Sequence, residues 1–226
     1  MTVSVDYRGE VAVLDVGTDE NRFSPNWLES MNSALDVVTE GKPTGLVTVG
    51  SGKFFSNGLD VEWMTGHRDR LDWYFDTVES LLARILTLPL PTVAAVNGHA
   101  FGAGAMLATA HDFRVMRTDR GYFCFPEVDV KIPFTAGMAA LIQAKTTPGT
   151  AVAAMTTGRR FSGEEARIAG LIDATADIDA LMSAASDMVS PLVGKDAVTL
   201  GAIKSTMFAE VATALSKPKA GIDLAL

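Results

Sequence analysis

The chain of 226 residues has 27 acidic against 19 basic side chains, a net charge of -8, and 48% of it is hydrophobic, enough to bury a genuine core. Its basic residues are spread out and form no stripe, which argues against a nucleic-acid surface. A single cysteine, Cys124, excludes an internal disulfide framework and fits a reducing compartment, and no segment offers about 20 uncharged apolar residues for a membrane span.

In chain order, "TVSVDYRGEVAVLDVG" alternates apolar and polar residues around a glycine-containing turn at Arg8 to Glu10, the period of a hairpin. Its polar positions fall where a signal peptide needs an apolar run, so the expected location is the cytoplasm. "SPNWLESMNSALDVVTEG" opens with a Ser-Pro helix start at Ser24 and Pro25 and closes at Gly41. "GLVTVGS" is a short strand running into the loop "GKFFSNGLD". Leu71, Phe75, Val78, Leu82 and Ile85 recur at three- or four-residue spacing, which predicts an amphipathic helix over 69–87. "PTVAAVNG" is a buried strand feeding "NGHAFGAGAML", after which a helix runs through Ala110. Strands are predicted at "DFRVMR" and "GYFCF", then a loop, "PEVDVKIP". From Thr135 the chain reads as helices starting at Thr135, Pro148, Ser162 and Asp177, with one extended break at "LIDATA". The class is α/β with a helical C-terminal region.

Several chemistries drop out early. His67, His99 and His111 are scattered without a second ligand at metal-binding spacing, so no metal site is expected. Ser56 in "FFSNG" lacks the near glycine of a nucleophile elbow. "GHAFGAG" has the ingredients of a phosphate cradle but no Walker lysine and not the GxGxxG spacing; close packing of helix on sheet would explain its glycines equally well. "GKFFSNGLD" shifts that balance. Two strand ends now present small residues and free backbone N–H groups, each before a helix, and two such groups converging on one oxygen would stabilise negative charge on a carbonyl. "FPEVDVKIP" adds an acid or base: Glu127 stands between aromatic residues and prolines, which would partly desolvate it and raise its pKa, although a solvated turn is the blander reading.

Four motifs, "GSGKFFSNGLDVEWM", "PTVAAVNGHAFGAGAMLATAHDFRVM", "FPEVDVKIP" and "TTGRRFSGEEARIAGLID", occur in the order and nearly the spacing of the crotonase, or enoyl-CoA hydratase/isomerase, superfamily, which the chain resembles from about residue 3 to about residue 210. The resemblance implies a single domain over 1–226, with a ββα spiral core over 1–134 and a helical trimerisation region over 135–226. It also implies homotrimers or hexamers. The substrate it implies is an acyl-CoA thioester whose carbonyl accepts the backbone N–H groups of Leu59 and Ala103. Phe55, Ser56, Asn57 and Gly58 would line the groove for the adenine end of coenzyme A. No metal or other cofactor is implied, coenzyme A being carried as part of the substrate, and no nucleic-acid or membrane partner.

Hydratases of this superfamily hold water between two glutamates. Glu127 matches the second, whereas Met106 stands in place of the first and would dry and fill the acyl pocket. Dienoyl-CoA isomerases carry a further acid where this chain has Thr135. "KFFSNGLD" and "EVDV" with its following Pro133 look more like the Δ3,Δ2-enoyl-CoA isomerase branch. There one glutamate takes a proton from C2 and returns it to C4, the dienolate resting in the oxyanion hole. A hydratase using Glu127 with Asp129 or a backbone group, and a catalytically weak acyl-CoA-binding subunit, are the alternatives. Asp129 would share a face with Glu127 were the segment a strand, but a structural hydrogen bond is the expected role. Lys53 and Lys131 are candidates at the groove, and polar "SKPKAGID" is expected to be a frayed tail.

Overall fold

The computed structural model describes residues 3–224. β1 (Ser4–Arg8) and β2 (Val11–Asp15) form the hairpin that the alternation predicts, with Gly9 in the left-handed region at its turn. After α1 (Pro25–Gly41) the chain repeats one manoeuvre: a strand in a larger sheet, a short strand in a smaller one, then helix. β3 (Gly45–Val49) and β4 (Phe54–Ser56) lead to α2 (Val61–Gly66) and α3 (Leu71–Leu86). β5 (Thr92–Val96) and β6 (His99–Phe101) lead to α4 (Ala103–Ala110), and β7 (Phe113–Arg117) and β8 (Phe123–Cys124) to α5 (Glu127–Val130). With β9 (Ala174–Ala176), formed by the "LIDATA" break, the larger sheet runs β1-β2-β3-β5-β7-β9 and is parallel beyond the hairpin; the smaller, β4-β6-β8, is parallel throughout. This is the ββα spiral that the motifs imply.

Local chemistry explains where the helices begin. Ser24 accepts the Trp27 N–H while Pro25 occupies the first helical position of α1, where a missing amide proton costs nothing. α3 buries Leu71, Tyr74, Phe75, Val78, Leu82 and Ile85 on one stripe, the predicted spacing. The central strand β5 is buried along its whole length because helices cover both faces of the sheet. Leu46, Ala94 and Val96 face the main core under α1, α3 and α4; their neighbours Val47, Val93 and Ala95 face α9 (Ile178–Val189), where Leu181, Ala185 and Val189 meet them.

Helices complete the chain: α6 (Ala136–Lys145), α7 (Pro148–Thr157), α8 (Gly163–Ile168), α9, α10 (Ala197–Met207) and α11 (Ala209–Ser216), the last packed on α3 and α6. Among the described residues no single helix is long and apolar enough to cross a membrane.

Two expectations need correcting here. "PEVDVKIP" contains a turn of helix, α5, and is not all loop. The tail after α11 is not frayed either: it lies along α3, where Asp72 accepts the Gly221 and Ile222 amides at 2.9 and 2.8 Å and Asp76 accepts that of Lys219 at 2.9 Å. These bonds hold the Asp72 carboxyl below its usual range. Lys219 also reaches the fully buried Glu79, 3.0 Å away, and Leu224 is buried. Replacing Asp72 with Ala is expected to speed amide exchange at Gly221 and Ile222 while leaving the β5 amides protected, which hydrogen-exchange mass spectrometry would read.

Candidate active site

Two loops meet where β4 and β6 end. Gly58 (φ 77) lies so close to the second loop that a Cβ on it would stand 2.5 Å from the Phe101 carbonyl oxygen and 2.9 Å from the Ala103 nitrogen. A Cβ on Gly104 would stand 2.3 Å from the carbonyl oxygen of Ser56. The small residues of both motifs therefore allow the N-terminus of α4 to seat directly on the β4 loop, so helix packing and an accessible backbone have one cause here.

The amides around the junction are sorted. Gly58 donates to the Ser56 hydroxyl at 3.1 Å, Asp60 to the Tyr74 hydroxyl at 2.9 Å, and Gly102 to the Cys124 carbonyl at 3.0 Å. The amides of Leu59 and Ala103 lie between these, and neither has a protein acceptor among the described residues. Ala103 is the first residue of α4, where the aligned peptide dipoles leave partial positive charge. Two such N–H groups suit an oxygen that gains negative charge.

Glu127 completes the cluster. Buried Phe123 and Phe125, packed edge to face, anchor the chain just before it, and Pro126 opens the turn that carries it. Its Oε1 lies against Gly102, 3.3 Å from where a Cβ there would be, and thus beside the peptide that carries the Ala103 amide. The residue is 8% exposed, and Oε2 has no hydrogen-bond partner among the described residues. Burial raises its pKa to about 7, with its own amide opposing weakly. It opens onto a concavity of about 430 Å³ shared with Lys131, Pro133, Phe134 and Met155.

The remaining expected residues divide. Met106 is 1% exposed and stands three residues beyond Ala103 on the same face of α4, one turn deeper. Asn57 is half-buried and tied to Glu20 through its backbone and side-chain amides. Phe55 and Ser56 are fully buried, contrary to the expectation that they line a groove. Phe55 is core, and Ser56 is spent inside the loop, donating to the Asn21 carbonyl at 2.7 Å. Asp129 does not share a face with Glu127, because two residues along a helix turn point apart. Among the described residues its carboxylate has no hydrogen bond and lies over the Cα of Gly158, so the expected structural bond is absent too. Thr135 caps α6 by accepting the Met138 N–H. Lys53 is exposed and lies over the Phe54 ring, whereas Lys131 borders the Glu127 concavity.

Sequence reasoning missed the segment that holds the first loop. Asn21 is fully buried and donates to the carbonyls of Gly17 and Phe55, while Phe23 donates to that of Gly58. Arg22 pairs with Glu20 beside Asn57. Only a polar run between hairpin and helix marked it. Two other reactive side chains are disarmed: burial pushes the Cys124 thiol up to about 11, and it brings His111, bonded to Thr48 and Leu107, down to about 4. No group of three His, Cys, Asp or Glu among the described residues is placed to hold a metal ion.

Comparison with known proteins places the chain in a family and agrees with its fold. A family profile described as enoyl-CoA hydratase/isomerase matches residues 10–221. Enoyl-CoA delta isomerase 3 of Arabidopsis thaliana is 38% identical over 76% of this chain and 76% of its own length, and the peroxisomal enoyl-CoA delta isomerase 1 of that plant 30% identical over 92% and 90%. Among solved structures, an enoyl-CoA isomerase from Mtb superposes with a TM-score of 0.87 at 26% identity, covering 94% of this chain and 93% of the other. Human mitochondrial delta3-delta2-enoyl-CoA isomerase, at 22% identity, 0.86, and 94% and 85% coverage, shares the fold.

Proposed function

Since the chain belongs to the enoyl-CoA hydratase/isomerase family, we propose that it is an enoyl-CoA isomerase that converts 3-enoyl-CoA to 2-enoyl-CoA with one carboxylate. The observation that carries this reading is the buried acid Glu127, its Oε2 unpartnered among the described residues, set beside two amides with no protein acceptor, with Met106 where a second acid would stand.

In this reading the thioester oxygen accepts the N–H groups of Leu59 and Ala103. Glu127 takes a proton from C2, and the electron pair moves into the thioester to give a dienolate whose negative oxygen the two amides stabilise. The same carboxyl then gives its proton to C4, the C2–C3 double bond forms, and the oxygen returns to a carbonyl. Nothing is added or lost. A pKa near 7 suits both halves, since the group must accept a proton and surrender it again. Met106 and the apolar wall at Phe134 keep water from the dienolate. Of the expected groove residues only half-buried Asn57 remains to meet coenzyme A, since Gly58 is buried with its N–H donated to Ser56 and its carbonyl accepting from Phe23. The exposed apolar side chains Val128, Val130 and Val152, beside the Glu127 concavity, support a homotrimer or pair of trimers whose neighbouring copy covers this face.

The test supplies 3-enoyl- and 2-enoyl-CoA of medium chain separately and resolves products by mass and retention. The isomerase reading expects the 3-enoyl substrate to give the 2-enoyl isomer without gain of mass. Rapid hydration of the 2-enoyl substrate would replace it with the hydratase reading. Because the base form of Glu127 starts the reaction, kcat/KM is expected to fall about tenfold per pH unit below pH 7 and to level off above it. A flat profile between pH 5 and 8 would assign proton transfer to another group.

A further inference from the structure

A second concavity, of about 510 Å³, lies away from the Glu127 site and shares none of its lining. It opens between α10 and the edge formed by Pro91 and Phe113, where β5 and β7 begin. Its walls are apolar: Leu192, Leu200, Ile203 and Met207 join Pro91 and Phe113. Ile203 and Met207, 54% and 62% exposed, are four residues apart on one face of α10 and give the concavity an apolar rim open to solvent.

The charges lining it are unevenly committed. Asp112 is bound to the buried Lys204, 2.6 Å away, and Lys204 also donates to the Leu90 carbonyl. Asp196 is spent as the cap of α10, accepting the Thr199 N–H at 2.8 Å. Two cations are left over. Among the described residues neither Lys145 nor Lys195 has an ion pair, and the Lys145 ammonium lies 5.3 Å from the centre of the Phe208 ring. Lys145 is half-buried at the end of α6, with its ammonium partly withdrawn from water.

We propose that this concavity binds a medium-chain carboxylate, its head on the Lys145 ammonium and its chain along Leu200, Ile203 and Met207. The volume is that of a small-molecule site, and apolar walls with one or two fixed polar groups are what such a ligand requires. The cation selects the head: an uncharged chain would bury the same apolar surface but leave the ammonium unpaired. The electrostatics of Lys145 agree. Burial, aided by Arg114 and Lys204 and opposed by Asp112 and Asp173, lowers it to about 8, a cost that an incoming carboxylate would relieve. Lys195 and Asp196 face the same space from the start of α10. The inference stands apart from the isomerase reading, because neither Glu127 nor the two amides enter it.

The experiment titrates decanoate and decanol into the wild-type protein by calorimetry, with carboxyl-labelled decanoate followed by carbon NMR. Decanoate is expected to bind about tenfold more tightly than decanol. Lys145→Met should erase that preference while leaving decanol binding intact, which also reports that the variant is folded. Ile203→Trp should weaken both ligands, and Glu127→Gln neither. Equal affinities for the two ligands in the wild type, or a decanoate affinity indifferent to Lys145→Met, would overturn the proposal. So would binding of neither ligand, the result expected if another copy of the chain covers this face.

Discussion

Glu127→Gln is expected to lower isomerase turnover by about three to four orders of magnitude and, at the same time, to make the protein more stable at pH 8. In the proposed reading the first effect follows from losing the proton carrier, since an amide can hold the same space and cannot accept a proton from C2. The second comes from linkage. The folded protein holds this carboxyl at about 7 against an ordinary 4.5, so the folded state binds the proton more tightly than the unfolded state. Ionising the buried group therefore costs stability, a cost that is complete above about pH 7, shrinks as pH falls through the folded value and vanishes below 4.5. The gap corresponds to about 3 kcal/mol at pH 8. Denaturant melts of the two proteins at pH 8 and pH 4 would measure it: the variant's advantage should be present at the first and absent at the second. An advantage of equal size at both would mean that the carboxylate is not destabilised by burial, and the assignment of its pKa would fail.

Gly58→Ala is the second large effect. The residue sits at φ 77, and the new methyl would fall 2.5 Å from the Phe101 oxygen and 2.9 Å from the Ala103 nitrogen, both main-chain atoms that no side-chain rotation can move aside. The two loops must separate, which in the proposed reading draws the Leu59 and Ala103 amides off the thioester oxygen. Turnover should drop by about 10²- to 10³-fold, the usual consequence of spoiling one donor to a developing oxyanion. Stability should fall by about 1–3 kcal/mol from the strained backbone. Gly66 offers the contrasting control, because a Cβ there meets nothing within 4 Å and its φ is not in the left-handed region, so Gly66→Ala should leave turnover intact. Similar losses in both variants would show that the Gly58 effect is general destabilisation.

How much of this could be read from the residues depended on range. The glycine and alanine run from Gly102 to Ala105 is visible because close approach of backbones leaves a local mark, the missing side chains. Glu127 is visible because Phe125 and Pro126 adjoin it in sequence as well as in space. Asp129 was misread because a four-residue helix is too short to show a period, so a strand-like facing could not be rejected. Phe55 and Ser56 failed for a similar reason: β4 has three residues, and which of them face inward is set by Asn21 and the core around it, not by alternation. The ordered tail was out of reach altogether. Its composition is that of a loose end, and the acceptors that hold it, Asp72 and Asp76, stand on a helix from the first half of the chain.

That strap bears on how the chain is made. Glu79 leaves the ribosome with α3, while Lys219, the cation 3.0 Å from its carboxylate in the finished fold, follows 140 residues later. Until then the carboxylate has no ammonium to meet in a fully buried position, and burying it alone would cost several kcal/mol. A nascent chain must therefore keep this turn of α3 open to water, or keep the acid protonated, until α11 and the strap after it have docked. Pairing of Glu79 thus waits on a residue far downstream, although the turn of α3 that carries the acid is translated early.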